Sequence, residues 1–117
     1  MKSFITSIIL FIAIILATVI NTVYVRDTVS TLEQLALSVS EGDSDGSDLE
    51  AFWNDHKDYI ELTTSYRQID EISNIIINLR NSYTFDDKQA LQQNYVLLCN
   101  ALDDILRYES FSITNIL

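Results

Sequence analysis

The chain has 117 residues, with 17 acidic side chains against seven basic ones and a net charge of −10. That balance repels phosphate backbones, so nucleic-acid binding is excluded, and the length leaves room for one small domain beside any anchor. With no proline and only two glycines, a turn-rich β fold is excluded too, and the expected class is all-α.

The N-terminus is the sharpest feature. Residues 4–25 carry no charge and are dominated by Ile, Leu, Val, Phe and Ala. A helix of that length rises about 33 Å, the thickness of a bilayer core. Residues 1–25 are therefore expected to form a transmembrane anchor that meets the lipid bilayer through residues 4–25. A cleaved signal peptide has a shorter apolar core and a small-x-small cleavage site. Here Ala13 and Ala17 bracket Ile14, Ile15 and Leu16, so the segment reads as uncleaved. Lys2 and the amino terminus precede it and Arg26 follows it, with Tyr24 as an interfacial aromatic. A short leader of this kind places the N-terminus in the cytoplasm and residues 26–117 outside, in a single-pass protein of the cell membrane. All 17 acidic residues lie from Asp27 onward with only five basic ones, which gives the domain beyond Arg26 a balance of −12.

After Arg26 the apolar pattern becomes periodic at Val25, Val29, Leu32, Leu35 or Ala36, and Val39, so the anchor helix continues over 26–40. The stretch 41–46 holds both glycines and reads as a turn. Ser47 with Glu50 three residues on resembles a capping box and predicts a second helix over 48–83. Its two stripes, Leu49, Phe52, Trp53, His56, Ile60 and then Tyr66, Ile69, Ile72, Ile76, Leu79, are out of phase, so a bend or register shift is expected at Thr63-Thr64-Ser65. A third helix over 87–108 carries Leu91, Tyr95, Leu98, Leu102, Ile105 and Leu106. It should close an antiparallel hairpin near Thr84-Phe85-Asp86, with the extension of the first helix packed against it as a three-helix domain.

Candidate chemistry is sparse. Residues 41–52 place acids at positions 1, 3 and 5 and Gly46 at position 6 of a calcium-type loop, but position 12 is Phe52 where a bidentate carboxylate is needed. His56 is the only histidine, with Trp53 rather than an acid three residues before it, so neither a zinc site nor a di-iron pair is expected. Cys99 has no internal partner and reads as a small core residue. With no phosphate loop and no nucleophile elbow, the chain is expected to be no enzyme and to need no cofactor and no metal. The residues chosen as an interaction surface are Trp53, Tyr66, Ile75, Ile76, Leu79, Phe111, Ile113 and Ile116, because Ile75, Ile76, Ile77 and Leu79 form an apolar run wider than one helical stripe.

The anchor, the acidic Gly-Asp stretch, Trp53, the segment Tyr66-Arg67-Gln68-Ile69-Asp70-Glu71-Ile72 and the ending Phe111-Ser112-Ile113-Thr114-Asn115-Ile116-Leu117 resemble a family of short membrane-anchored proteins of spore-forming Firmicutes, domain of unknown function 4363. Tyr66 stands where that family's pattern has a histidine. The resemblance spans essentially the whole chain and implies membrane location and an all-helical domain, with no activity. The expected function is a non-enzymatic accessory or interaction subunit for another membrane protein, or a homo-oligomer. The alternative is a ligand- or cation-sensing module that acts through a membrane partner.

Overall fold

In the computed structural model, residues 1–62 and 64–116 are described, residues 108–116 as backbone alone. Those residues form four helices: α1 (Lys2–Ser40), α2 (Ser47–Glu61), α3 (Tyr66–Thr84) and α4 (Lys88–Ile116). The protein is all-α, and α1 is the one helix among the described residues long and apolar enough to cross a membrane. Its apolar stretch is uncovered by the rest of the chain. Within it, the hydroxyls of Thr6, Ser7 and Thr18 each donate to the carbonyl one turn earlier, which satisfies them without water.

α1 then runs on unbroken into a bundle. Its C-terminal half buries Thr22, Val25, Thr28, Val29, Leu32, Ala36 and Val39, the stripe legible in the sequence. The helix stops at a Schellman motif: Gly42, at φ +84°, donates to the Val39 carbonyl, and the Asp43 amide reaches back to Ser38. α3 ends in the same way, with Asp86 at φ +54° donating to Tyr83 and Asp87 to Ser82. Asp87 then caps α4 by accepting from the Ala90 amide at 3.1 Å.

Each helix reverses the direction of the one before. Tyr59, near the end of α2, meets Tyr24 of α1, while Arg80, near the end of α3, meets Glu50 at the start of α2. Gln92, near the start of α4, bonds the Ser40 carbonyl at the end of α1. α1 packs on α2 and α4, α3 packs on α2 and α4, and α2 and α4 lie diagonally opposite. The result is an up-down-up-down bundle at one end of a rod measuring 67 × 21 × 20 Å.

Three expectations are corrected. The helix over 48–83 is two helices, the first ending at Glu61 and the second starting at Tyr66, because Ser65 adopts an extended backbone and caps α3 by accepting from the Gln68 amide. The domain is consequently a four-helix bundle rather than a three-helix one. The Ser47–Glu50 capping box does not form: Gly46 is the N-cap of α2, and the Glu50 carboxylate is taken by Arg80. The last helix extends to Ile116, past the expected end at 108.

Candidate functional site

The chosen interaction surface does not hold together. Trp53 is 1% exposed and donates from Nε1 to Ser73 Oγ at 2.8 Å, so it locks α2 to α3 from inside the core. Ile75, Ile76 and Leu79 are buried as well. Their run is wide because α3 contacts neighbours on two sides, and only Ile77 of that run is left half exposed. Tyr66 is exposed at the first residue of α3. The side chains of Phe111, Ile113 and Ile116 lie outside the described residues.

Apart from Phe85 at the α3–α4 turn and the single side chains of Leu37 and Ile77, exposed apolar side chains in the bundle lie at two places. One is the α2–α3 connection, where Leu62 and Tyr66 are 79% and 71% exposed beside a ring cluster of Tyr24, Phe52, His56 and Tyr59. The centroids of Tyr24 and Tyr59 are 4.3 Å apart, and those of Phe52 and His56 4.1 Å. His56 Nδ1 donates to the Phe52 carbonyl at 2.8 Å, a local bond that orients the ring within the cluster. The other is the outer face of α4, where Val96 and Leu97 are 53% and 52% exposed. Gln92, Gln93 and Asn100 surround them, also exposed. From Gln89 to Leu102 the chain has no charged residue at all, in a domain whose balance is −12. That gap in the charge was the available sequence signal for this face, and apolar periodicity alone passes over it.

Along a partly exposed flank, the same helix sets Tyr95, Cys99 and Asp103 one turn apart, beside Glu33 of α1. Burial, then the nearby Asp103 carboxyl, raises Glu33 above the ordinary range for Glu. Burial also pushes up the Cys99 thiol, and the hydrogen bond to Cys99 raises the Tyr95 phenol. Cys99 is half-buried, and a thiol held protonated is a poor nucleophile.

At the far end of the bundle, a cleft of about 530 Å³ opens between the α1–α2 and α3–α4 turns, lined by Glu41, Gly42, Tyr83, Asp86, Lys88 and Gln92 among others. The acidic turn beside it is occupied with itself: Asp45 Oδ1 accepts from the Ser47 amide at 2.9 Å, a bond that holds its carboxyl below the ordinary range for Asp. No group of three or more His, Cys, Asp or Glu side chains that could hold a metal ion occurs among the described residues. No protein-family model, curated protein or solved structure matches the chain. The functional reading therefore rests on these surfaces.

Proposed function

We propose that this chain is a single-pass protein of the cell membrane, with its N-terminus in the cytoplasm and its acidic bundle outside, and that it serves without enzymatic activity as an accessory subunit of another membrane protein. The charge-free face of α4 carries the reading. Two adjacent apolar side chains framed by neutral amides have the make-up of a small interface core with a polar rim. The surrounding acids repel unsuited acidic partners and leave this face as the place where desolvation is cheapest. The uninterrupted α1 holds that face at a fixed height above the bilayer, which suits a partner standing in the same membrane. The resemblance to domain of unknown function 4363 points to the same location.

The test is crosslinking of the tagged chain in its native membrane, followed by mass spectrometry, with Val96→Asp and Leu97→Asp compared to the parent. Both positions are more than half exposed, so the bundle should tolerate the charges. Loss of one reproducible membrane partner in both variants is expected. Recovery of only the chain's own copies would replace the accessory role by self-assembly. Capture unchanged by both substitutions would overturn the assignment of this face. A second reading, sensing of a small ligand, is favoured by the cleft between the distal turns and predicts ligand-dependent melting that Lys88→Ala abolishes.

A further inference from the structure

We propose that the α2–α3 connection, through Leu62 and Tyr66, is a second membrane contact that seats the base of the bundle in the headgroup layer of the bilayer crossed by α1. The proposal rests on the reading of α1 as a membrane span.

Level is the first argument. Tyr59 stacks on Tyr24, and α2 runs opposite to α1, so each residue after Tyr59 moves down α1 toward its apolar half. Leu62 lies about 4.5 Å beyond Tyr59 along that direction, about the height of residue 21. That height is inside the uncharged run of residues 4–25. The bundle also covers the last turn of that run, since Thr22 and Val25 are buried by it. The part of the run lying below the α2–α3 connection, residues 4–21, rises only about 27 Å, short of a hydrocarbon core of about 30 Å. Immersing the whole apolar run therefore brings the base of the bundle into the interface.

The side chains at that level fit the location. Leu62 and Tyr66 are exposed at the membrane end of the bundle, as Phe85 is at the other end, but only the membrane end adds a group of tyrosines. A tyrosine with a wet hydroxyl and an apolar ring is suited to the headgroup boundary, and Tyr24 and Tyr59 lie at the same end. Charge agrees as well. Residues 26–27, 57–67 and, on α4, 103–109 carry four bases, Arg26, Lys57, Arg67 and Arg107, against six acids, Asp27, Asp58, Glu61, Asp103, Asp104 and Glu109. At the opposite end, residues 41–50 and 80–88 hold seven acids against two bases. The less acidic pole of the bundle is the one turned toward the lipid, where a strongly acidic pole would be repelled by anionic headgroups.

The test uses the full chain with Cys99→Ala, spin-labelled through single cysteines in Leu62→Cys, Tyr66→Cys, Phe85→Cys and Leu10→Cys. Each variant is reconstituted in vesicles of phosphatidylcholine and phosphatidylglycerol. The four positions are all exposed, so the labels leave the packing intact, and unshifted Trp53 emission checks this. Collision with dissolved oxygen and with a water-soluble nickel chelate reports depth. The expected result is a several-fold higher oxygen-to-nickel ratio at residues 62 and 66 than at residue 85, below that at residue 10. Ratios at 62 and 66 equal to that at 85, with residue 10 deep in the bilayer, would overturn the second contact and leave the anchor standing. A water-like ratio at residue 10 would overturn the anchor and this proposal together.

Discussion

Replacing each of the two glycines by alanine should give unequal losses of stability, although both sit at nearly the same backbone angles. Gly42 has φ +84° and Gly46 φ +89°, so both substitutions strain a left-handed backbone. That strain is about 1–2 kcal/mol, offset in part by the stiffer unfolded chain, for a net loss of about 1 kcal/mol. A Cβ on Gly42 meets nothing within 4 Å, whereas one on Gly46 would lie 2.6 Å from Arg80 Cγ. Arg80 cannot stay where it is, and its guanidinium must release Glu50, to which it bonds at 2.7 Å. The side chains of that pair are about a third exposed, so screening limits the loss to about 0.5–1 kcal/mol. Gly46→Ala should then cost about 2 kcal/mol in total, twice the loss at Gly42, with melting points lowered by about 10 °C against about 5 °C. Trp53 is the only tryptophan and is buried, so its emission follows unfolding of the full chain in detergent micelles. Arg80→Ala combined with Gly46→Ala should cost clearly less than the two single losses summed, because the clash needs both side chains. Equal losses at the two glycines together with additivity in the double variant would refute the argument.

Two further expectations concern single groups. Asp86 occupies a left-handed position without being glycine, so Asp86→Gly should stabilise the α3–α4 turn by about 0.5–1 kcal/mol, and an unchanged or lower melting point would contradict this. Glu33 titrates above its unfolded value of 4.5 in the folded chain, so the folded state holds the proton more tightly. Stability linked to this group is fully present below pH 4.5 and is lost as the pH rises through the raised value. Glu33→Gln should accordingly raise the melting point at neutral pH and flatten its dependence just above 4.5; identical pH profiles for the variant and the parent would show that Glu33 carries none of it. Asp45, held below its ordinary range, acts with the opposite sign: its contribution is present above 3.8 and fades as the pH falls further.

Helix class and the buried stripe of α1 were legible because they depend on spacing within one helix. Capping was only partly legible. Gly42 announced the end of α1, but Ser47 and Glu50 imitated a capping box whose acid serves Arg80 30 residues away. The true box-like start, Ser65 followed three residues later by Gln68, was masked by the apolar stripes on either side of it, which encouraged reading one long helix. The interaction surface failed for a different reason. Exposure of a stripe depends on how many neighbours a helix has, and α3, with partners on two sides, covers Ile75, Ile76 and Leu79 together. α4 shows the converse, because Val96 and Leu97 fall outside its apolar stripe and also outside the angle its two neighbours subtend.

The continuity of α1 has a mechanical consequence. With no glycine, proline or loop between the apolar half, long enough to cross a membrane, and the bundle, the two cannot swivel independently, and in a bilayer the domain leans whenever its stem leans. Helices adjust to membrane thickness by tilting, on average by about 20°. From residue 25 to residue 40 the stem rises about 22 Å, so a change of that size would carry the distal turns sideways by about 8 Å. A small variation in bilayer thickness is thereby converted into a lateral sweep of the acidic tip, as by the long arm of a lever.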